Sequence, residues 1–268
     1  MSPFEIVAIL LAGMAAGTIN TVVGSGTLIT FPTLLAFGIP PVTANVSNTI
    51  GLVPGSVSGV IGYRAELAGQ RARLVRLVSA SLVGGITGAL LLLSLPSAAF
   101  DAIVPVLILL GCALVILGPR ISKRVAARAE ATGGLPEHGV WWVWPAVALA
   151  GVYGGYFGAA QGVLLMAILG IGVVDSMQRH NATKNVLALV VNAVAAAVFV
   201  LLAFVDVPFL PESASSSIDW AVVGLIAVGS VIGGQLGATV GRRLPPVVLR
   251  GVIVVVGLVA VVSFVFPL

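Results

Sequence analysis

"NTVVGSGTLITFP", residues Asn20 to Pro32, breaks the first apolar run of this chain with small polar residues and two glycines. Gly24 and Gly26 permit a departure from helix, and Pro32 removes a helical donor. A second interruption stands at "YFGAAQGVLL", Tyr156 to Leu165. Around them the chain is strongly apolar: of 268 residues, 59% are hydrophobic and 8% are charged. Soluble domains carry about 25% charged residues. So little charge cannot cover a water-facing surface, and the chain reads as a membrane protein. Backbone that leaves the helix inside a bilayer must be buried in protein or line a wet cavity. The two interruptions therefore bear on fold and function together.

Long apolar runs lie at about 4–22, 45–62, 74–94, 99–118, 140–157, 182–205, 220–240 and 248–267. Each approaches the roughly 20 residues that a helix needs to cross a bilayer. Shorter pieces at 26–38 and 160–174 follow the interruptions. At about 1.5 Å per residue they reach only roughly 20 Å and need help to cross. The first twelve residues hold no Lys or Arg, so the start reads as a membrane segment rather than a signal peptide.

The chain also repeats itself. "SLVGGITGA" (Ser81–Ala89) returns as "SVIGGQLGA" (Ser230–Ala238), a shift of 149. At a shift of 136, Gly26 meets Gly162, Leu28 meets Leu164, and "NVSNT" (Asn45–Thr49) meets "NATKN" (Asn181–Asn185). The halves are 1–118 and 140–268, joined by a basic linker at 119–139. Equivalent loops carry opposite charge: 63–76 has Arg64, Arg71, Arg73 and Arg76, whereas 205–219 has Asp206, Glu212 and Asp219. Likewise Ser94, Ser97 and Asp101 flank the first Leu-Pro turn, and Arg242, Arg243 and Arg250 flank the second. By the positive-inside rule, equivalent loops face opposite sides of the membrane. The expected fold is an all-α polytopic membrane protein of two inverted-topology repeats. Each repeat has about five membrane segments, one of them short, broken or re-entrant. Both termini are expected outside, with 63–76, 119–139 and 241–250 cytoplasmic.

Corresponding interruptions in two halves point to a transporter's central site. Half-helix N-termini there favour an anion. The expected substrate-binding residues are Asn20, Gly24, Ser25, Gly26, Thr27, Asn45, Ser47, Asn48, Thr49, Gln161, Gly162, His180, Asn181, Thr183, Lys184 and Asn185. Asn45, Ser47, Asn181 and Thr183 also suit helix N-caps, but each segment has more polar residues than one cap needs. Lys184 stands where the first half has Asn48 and brings formal charge to the site. It reads as a direct anion contact, with an interfacial snorkelling lysine as the alternative. His180 is a candidate proton carrier or a plain hydrogen-bonding side chain. Gly84/Gly88 and Gly233/Gly237 read as helix-packing pairs.

Several classes are excluded. Two His, one Cys and no acidic pair in the expected cavity leave a metal site or catalytic triad short of parts. No Lys-Ser/Thr follows Gly26, so the stretch is not a nucleotide loop. The basic residues border apolar segments and form no nucleic-acid footprint. Trp141, Trp142 and Trp144 read as an interfacial belt. No cofactor and no enzymatic activity are expected. The competing function classes are an intramembrane enzyme acting on lipid headgroups, or a membrane scaffold.

The chain resembles the TauE/SafE sulfite exporter family, also called the 4-toluene sulfonate uptake permeases. "GTINTVVGSGTLITFPTLLAFGIPPVTANVSNTIGLVPGSVSGVIGYR" (Gly17–Arg64) carries the resemblance, with a weaker echo from Gly151 to Asn185. It implies a permease of the cytoplasmic (inner) membrane that moves a sulfur-containing anion such as sulfite, sulfoacetate or another organosulfonate by alternating access. The partners are the anion and the lipid bilayer, with a proton or sodium ion as candidate coupling ion and a homo-oligomer as candidate assembly. The family usually has three glycines where this chain has Gly24-Ser25-Gly26. Thiosulfate-taking relatives use cysteines along the path. Cys112, alone in an apolar helix, argues against such a relay here.

Overall fold

The computed structural model describes residues 1–131, 140–205, 218–240 and 246–265. These residues are helical, with no strand among them. The helices are α1 (Pro3–Val22), α2 (Thr27–Ala36), α3 (Pro41–Gly62), α4 (Arg71–Ser94), α5 (Ser97–Ala131), α6 (Val143–Tyr156), α7 (Gln161–Gly172), α8 (Met177–Ala203), α9 (Trp220–Thr239) and α10 (Pro246–Val265). A 3₁₀ turn, Arg64–Leu67, joins α3 to α4. Among the described residues α1, α4, α8, α9 and the Ala98–Arg120 part of α5 are long and apolar enough to cross a bilayer. Helices α2 and α7, of 10 and 12 residues, span only roughly 15–18 Å. They are the short pieces after the two interruptions. Helix α5 continues to Ala131, so the first part of 119–139 is helix. The rest of that linker, the acidic stretch 206–217 and the pair Arg242–Arg243 lie outside the described residues.

Glycine sets the packing. A Cβ at Gly229, Gly233 or Gly237 of α9 would strike the carbonyls of Leu10, Met14 or Thr18 in α1. In the same way Gly84 and Gly88 of α4 lie on the carbonyls of Ala148 and Val152 in α6. These close approaches confirm the packing role expected of both glycine pairs. Residue numbers rise together along each contact, so α1 runs parallel to α9 and α6 parallel to α4. Along α3, Gly51 meets Ile226, Gly55 meets Ser230 and Gly62 meets Ala238, so α3 is parallel to α9 as well. The first helix of each half thus packs against the fourth helix of the other.

Helices α3 and α8 run antiparallel. Ser56 meets Asn192 at 3.5 Å, and Tyr63 packs with Ala182. At the ends next to the interruptions, Phe31 of α2, Phe100 of α5 and Phe157 beyond α6 form edge-on ring contacts with centroids 5.1–6.4 Å apart. Each such contact contributes about 0.5–1.5 kcal/mol beyond its buried area. Together they pin short α2 and the end of α6 in place.

Candidate functional site

The two interruptions have the same backbone. Helix α1 ends at Val22, and Gly24 turns left-handed (φ +87°) while its N–H donates to Ile19 C=O at 2.9 Å. Helix α6 ends at Tyr156, and Gly158 (φ +78°) donates to Tyr153 C=O at 3.2 Å. Both are glycine helix stops, for which a positive φ carries no Cβ penalty. They make Gly24 the counterpart of Gly158. The register here is 134, two residues off the register that sets Gly26 against Gly162. The second interruption adds a left-handed non-glycine, Ala160 (φ +60°), just before Gln161.

The interruptions meet. Gly162 N–H donates to Gly24 C=O at 3.0 Å, and a Cβ on either glycine would strike the other's backbone. Around this point lies a cavity of about 30 Å³. One water needs roughly 10–15 Å³ on this scale. From the interrupted helices it is lined by Asn20, Thr21, Gly24, Thr27, Gly158, Gln161 and Gly162, and from α3 and α8 by Ser56, Gly59, Asn185, Ala188 and Asn192. No charged side chain lines it. Gln161 stands at the first turn of α7, its amide laid over Gly154, and its Nε2 is buried without a hydrogen-bond partner. A buried unpaired donor costs about 1–3 kcal/mol, which an acceptor in the cavity would recover.

Six of the expected site residues line this cavity: Asn20, Gly24, Thr27, Gln161, Gly162 and Asn185. The others lie elsewhere. Gly26 faces α1, where a Cβ would strike the Ala16 carbonyl, so it is a packing glycine. Ser25 is fully buried with its hydroxyl unpaired. Asn48 accepts from Thr30 Oγ1 at 2.5 Å and donates to Thr27 Oγ1 at 3.4 Å, bracing the start of α2. Asn45 Nδ2 donates to Tyr156 C=O at 2.9 Å, at the end of α6. Thr49 is buried in α3. Ser47 and Thr183 bond to the starts of α9 and α4. His180 Nε2 pairs with Val173 C=O at 3.1 Å. None of the four N-cap candidates caps its own helix: the caps are Pro40 for α3 and Ser176 for α8.

Lys184 departs furthest from expectation. It is fully buried, and its Nζ donates to the carbonyls of Asn20 at 2.9 Å and Thr21 at 3.3 Å. Asn181 Nδ2 and Asn185 Nδ2 also donate to Thr21 C=O, at 3.0 and 3.4 Å. The polar run of α8 thus serves the last carbonyls of α1, which a helix end leaves without partners. An ammonium is better satisfied there, at the negative end of a helix dipole, than free in an apolar interior. It stands behind the cavity wall and offsets the negative end of α1, which disfavours an anion. Asn20 closes the arrangement: its Oδ1 accepts the Gly26 N–H at 2.6 Å. Thr21, Ser56, Gly59, Gly158, Ala188 and Asn192 are lining residues that the sequence reading missed. Ser56 and Asn192 are 136 apart, the repeat's own spacing, and that coincidence was the available signal.

Among the described residues no cluster of His, Cys, Asp or Glu could hold a metal. Cys112 is buried and is not a lining residue.

The family model described as sulfite exporter TauE/SafE matches residues 9–264. The chain is 24% identical over 266 residues to the "Probable membrane transporter protein YfcA" of Escherichia coli (strain K12), covering 97% of this chain and 89% of that one. It is 24% identical over 269 residues to a "Probable membrane transporter protein" of Haemophilus influenzae, covering 98% and 95%. It is 25% identical over 256 residues to "Probable membrane transporter protein ORF9" of a Sinorhizobium species, covering 95% and 90%.

Proposed function

This chain belongs to the sulfite exporter TauE/SafE family, as a multi-pass membrane transporter and not an enzyme, and on that premise we propose that it is a secondary permease for a small anion. The anion is sulfite or an organosulfonate such as sulfoacetate, carried across the cytoplasmic membrane by alternating access. One observation carries the reading: the first residues of two short helices, Thr27 and Gln161, line one cavity that has no acidic residue, with the unpaired Gln161 Nε2 among its donors. Helix N-termini favour an anion by about 0.3–1 kcal/mol each, and by up to ~2 when partly buried. Lys184 adds positive potential from behind Asn20 and Thr21. It acts in this reading through the field and through the end of α1, not as a ligand.

Two inverted repeats of five segments fit the packing. Repeat-equivalent α3 and α8 run antiparallel, and the contacts of α1 with α9 are mirrored by those of α6 with α4. The cavity lies where the halves meet, as rocking of one against the other requires. No nucleotide-binding motif is present, so transport draws on the anion's own gradient or on a proton or sodium gradient.

The test is counterflow. Purified protein in vesicles should exchange labelled sulfite or sulfoacetate without altering it chemically. Folded protein that exchanges neither would sink this substrate reading.

A further inference from the structure

Ser47 on α3 and Thr183 on α8 are repeat equivalents, 136 apart, and Gln70 and Asp219, which precede α4 and α9, are equivalents 149 apart. The structure joins both equivalent pairs, the hydroxyl donating in one and accepting in the other. Thr183 Oγ1 donates to Gln70 Oε1 at 2.9 Å, and Asp219 N–H donates to Ser47 Oγ at 3.0 Å. Ser47, Gln70 and Thr183 are buried, and Asp219 is half-buried. Because α3 and α8 are antiparallel, the two junctions lie at opposite ends of the molecule. Ser47 is nine residues from Ser56, and Thr183 is nine from Asn192, roughly 14 Å of helix in each case. Ser56 and Asn192 meet at the cavity. The cavity therefore sits midway between two matching polar junctions, each tying a helix of one half to a helix start of the other.

The junctions are not equally strong. At the Gln70 end, Arg73 Nη1 donates to Asp175 Oδ2 at 2.6 Å and to Gln70 Oε1 at 3.1 Å. Arg179 Nε reaches Asp175 Oδ1 at 2.8 Å, and Arg179 Nη1 donates to Ala68 C=O at 3.1 Å. The Arg73 and Asp175 side chains are only 10% and 12% exposed, so salt screens them less than surface ions. The repeat equivalents of Arg73, Asp175 and Arg179 are Val222, Ile39 and Thr43, none of them charged.

We propose that the Thr183–Gln70 and Ser47–Asp219 junctions are the two gates of the pathway, and that the Arg73–Asp175 ion pair, with Asp175 braced by Arg179, weights the first gate shut. This rests on the transporter reading above. Opening that gate parts the start of α4 and the 3₁₀ turn from the start of α8, so the Arg73–Asp175 ion pair and the Arg179–Ala68 hydrogen bond must break with it, while the Arg179–Asp175 pair stays on the α8 side. The parted mouth carries two guanidinium groups against one carboxylate, a net positive charge that draws anions in.

The test uses one reporter cysteine in the cavity wall, Ala188→Cys, with the native thiol removed by Cys112→Ser. An impermeant maleimide is applied from either side of sealed vesicles. Asp175→Asn should speed labelling at least fivefold from the arginine-bearing side and leave the other side unchanged. Ser47→Ala should speed it from the opposite side. Unchanged labelling from both sides in well-folded Asp175→Asn overturns the proposal. Should Asp175→Asn fail to insert, Arg179→Gln removes the Arg179–Ala68 hydrogen bond across the gate and the brace on Asp175: a smaller rise is expected, and no rise overturns the proposal. Exchange of labelled sulfite, measured on Ala188 protein in parallel, separates the two readings. Exchange without any labelling change sinks the gates alone, and labelling changes without exchange sink the substrate alone.

Discussion

The N–H of Gly162 donates to the C=O of Gly24 across 3.0 Å. Two interruptions more than a hundred residues apart thus touch backbone to backbone, and neither position has room for a side chain. The contact fixes the distance between the two helix starts that face the cavity.

Gly162→Ala should therefore separate the interruptions and cut transport at least tenfold while the protein still inserts. Gly26→Leu and Gly88→Leu should act differently from it and like each other. Their side chains would strike the carbonyls of Ala16 and Val152, so both should lower the melting temperature by packing loss. Gly38→Ala is the control: φ is +76° but nothing lies within 4 Å of the added Cβ, so it costs only the roughly 1–2 kcal/mol of a left-handed residue. Uptake in vesicles and thermal melting in detergent check all four.

Lys184→Met should weaken anion binding about tenfold or more with little loss of folded protein. Removing a buried charge relieves a solvation cost while leaving the carbonyls of Asn20 and Thr21 without their ammonium, and these effects oppose each other in stability. Lys184→Arg should retain part of the binding. Gln161→Glu should weaken binding at least as much as Lys184→Met, because it puts a carboxylate in the cavity wall. Binding measured over a range of salt separates them, and unchanged affinity in Lys184→Met would show that neutral donors alone hold the anion.

Much of this was readable in advance and some was not. The two interruptions, the glycine packing pairs and the polar runs 43–49 and 179–185 stand out in the amino-acid pattern. Their registers do not. Matching Gly26 to Gly162 follows residue identity, whereas the chain aligns its left-handed stops, Gly24 and Gly158. Ala160 takes a left-handed turn with no glycine to announce it. The polar run at 181–185 could be seen as polar, but its direction could not, because unpaired carbonyls at the end of α1 leave no mark on side-chain composition. Asn192 and Ser56 were overlooked because a single polar residue in an apolar helix shows no period.

The Asp175 carboxyl sits in the loop between α7 and α8, outside the membrane helices. Burial pushes it up, but hydrogen bonds from Arg73, Arg179 and the Ser176 N–H outweigh burial and hold it below the ordinary 3.8. A carboxyl depressed in the fold contributes stability that is present above its unfolded value and lost as pH falls through its folded value. The melting difference between the native protein and Asp175→Asn should be flat from about pH 7 to 5 and shrink only below 3.8. A difference that already fades between pH 7 and 5 would show that the ion pairs do not hold this end.

Orientation is open to a direct check. Arg71 and Ser2 are both exposed. In a Cys112→Ser background, Ser2→Cys should react with an impermeant thiol reagent from outside intact cells and Arg71→Cys only from the cytoplasm. Reaction of Arg71→Cys from outside would reverse the assignment drawn from the basic loops.

The parallel seating of α1 on α9 bears on how the chain is made. Helix α1 ends at Val22 and its glycine-lined mate begins at Trp220. A ribosome adding about 5–20 residues per second needs roughly 10–40 s to cover that interval. Through that time α1 waits in lipid, its small residues facing a vacancy that only the last quarter of the chain can fill. Helix α4 waits likewise, more briefly, for α6. Neither half can finish alone, and a nascent chain halted after α5 leaves three helices, α1, α3 and α4, without their glycine-packed mates.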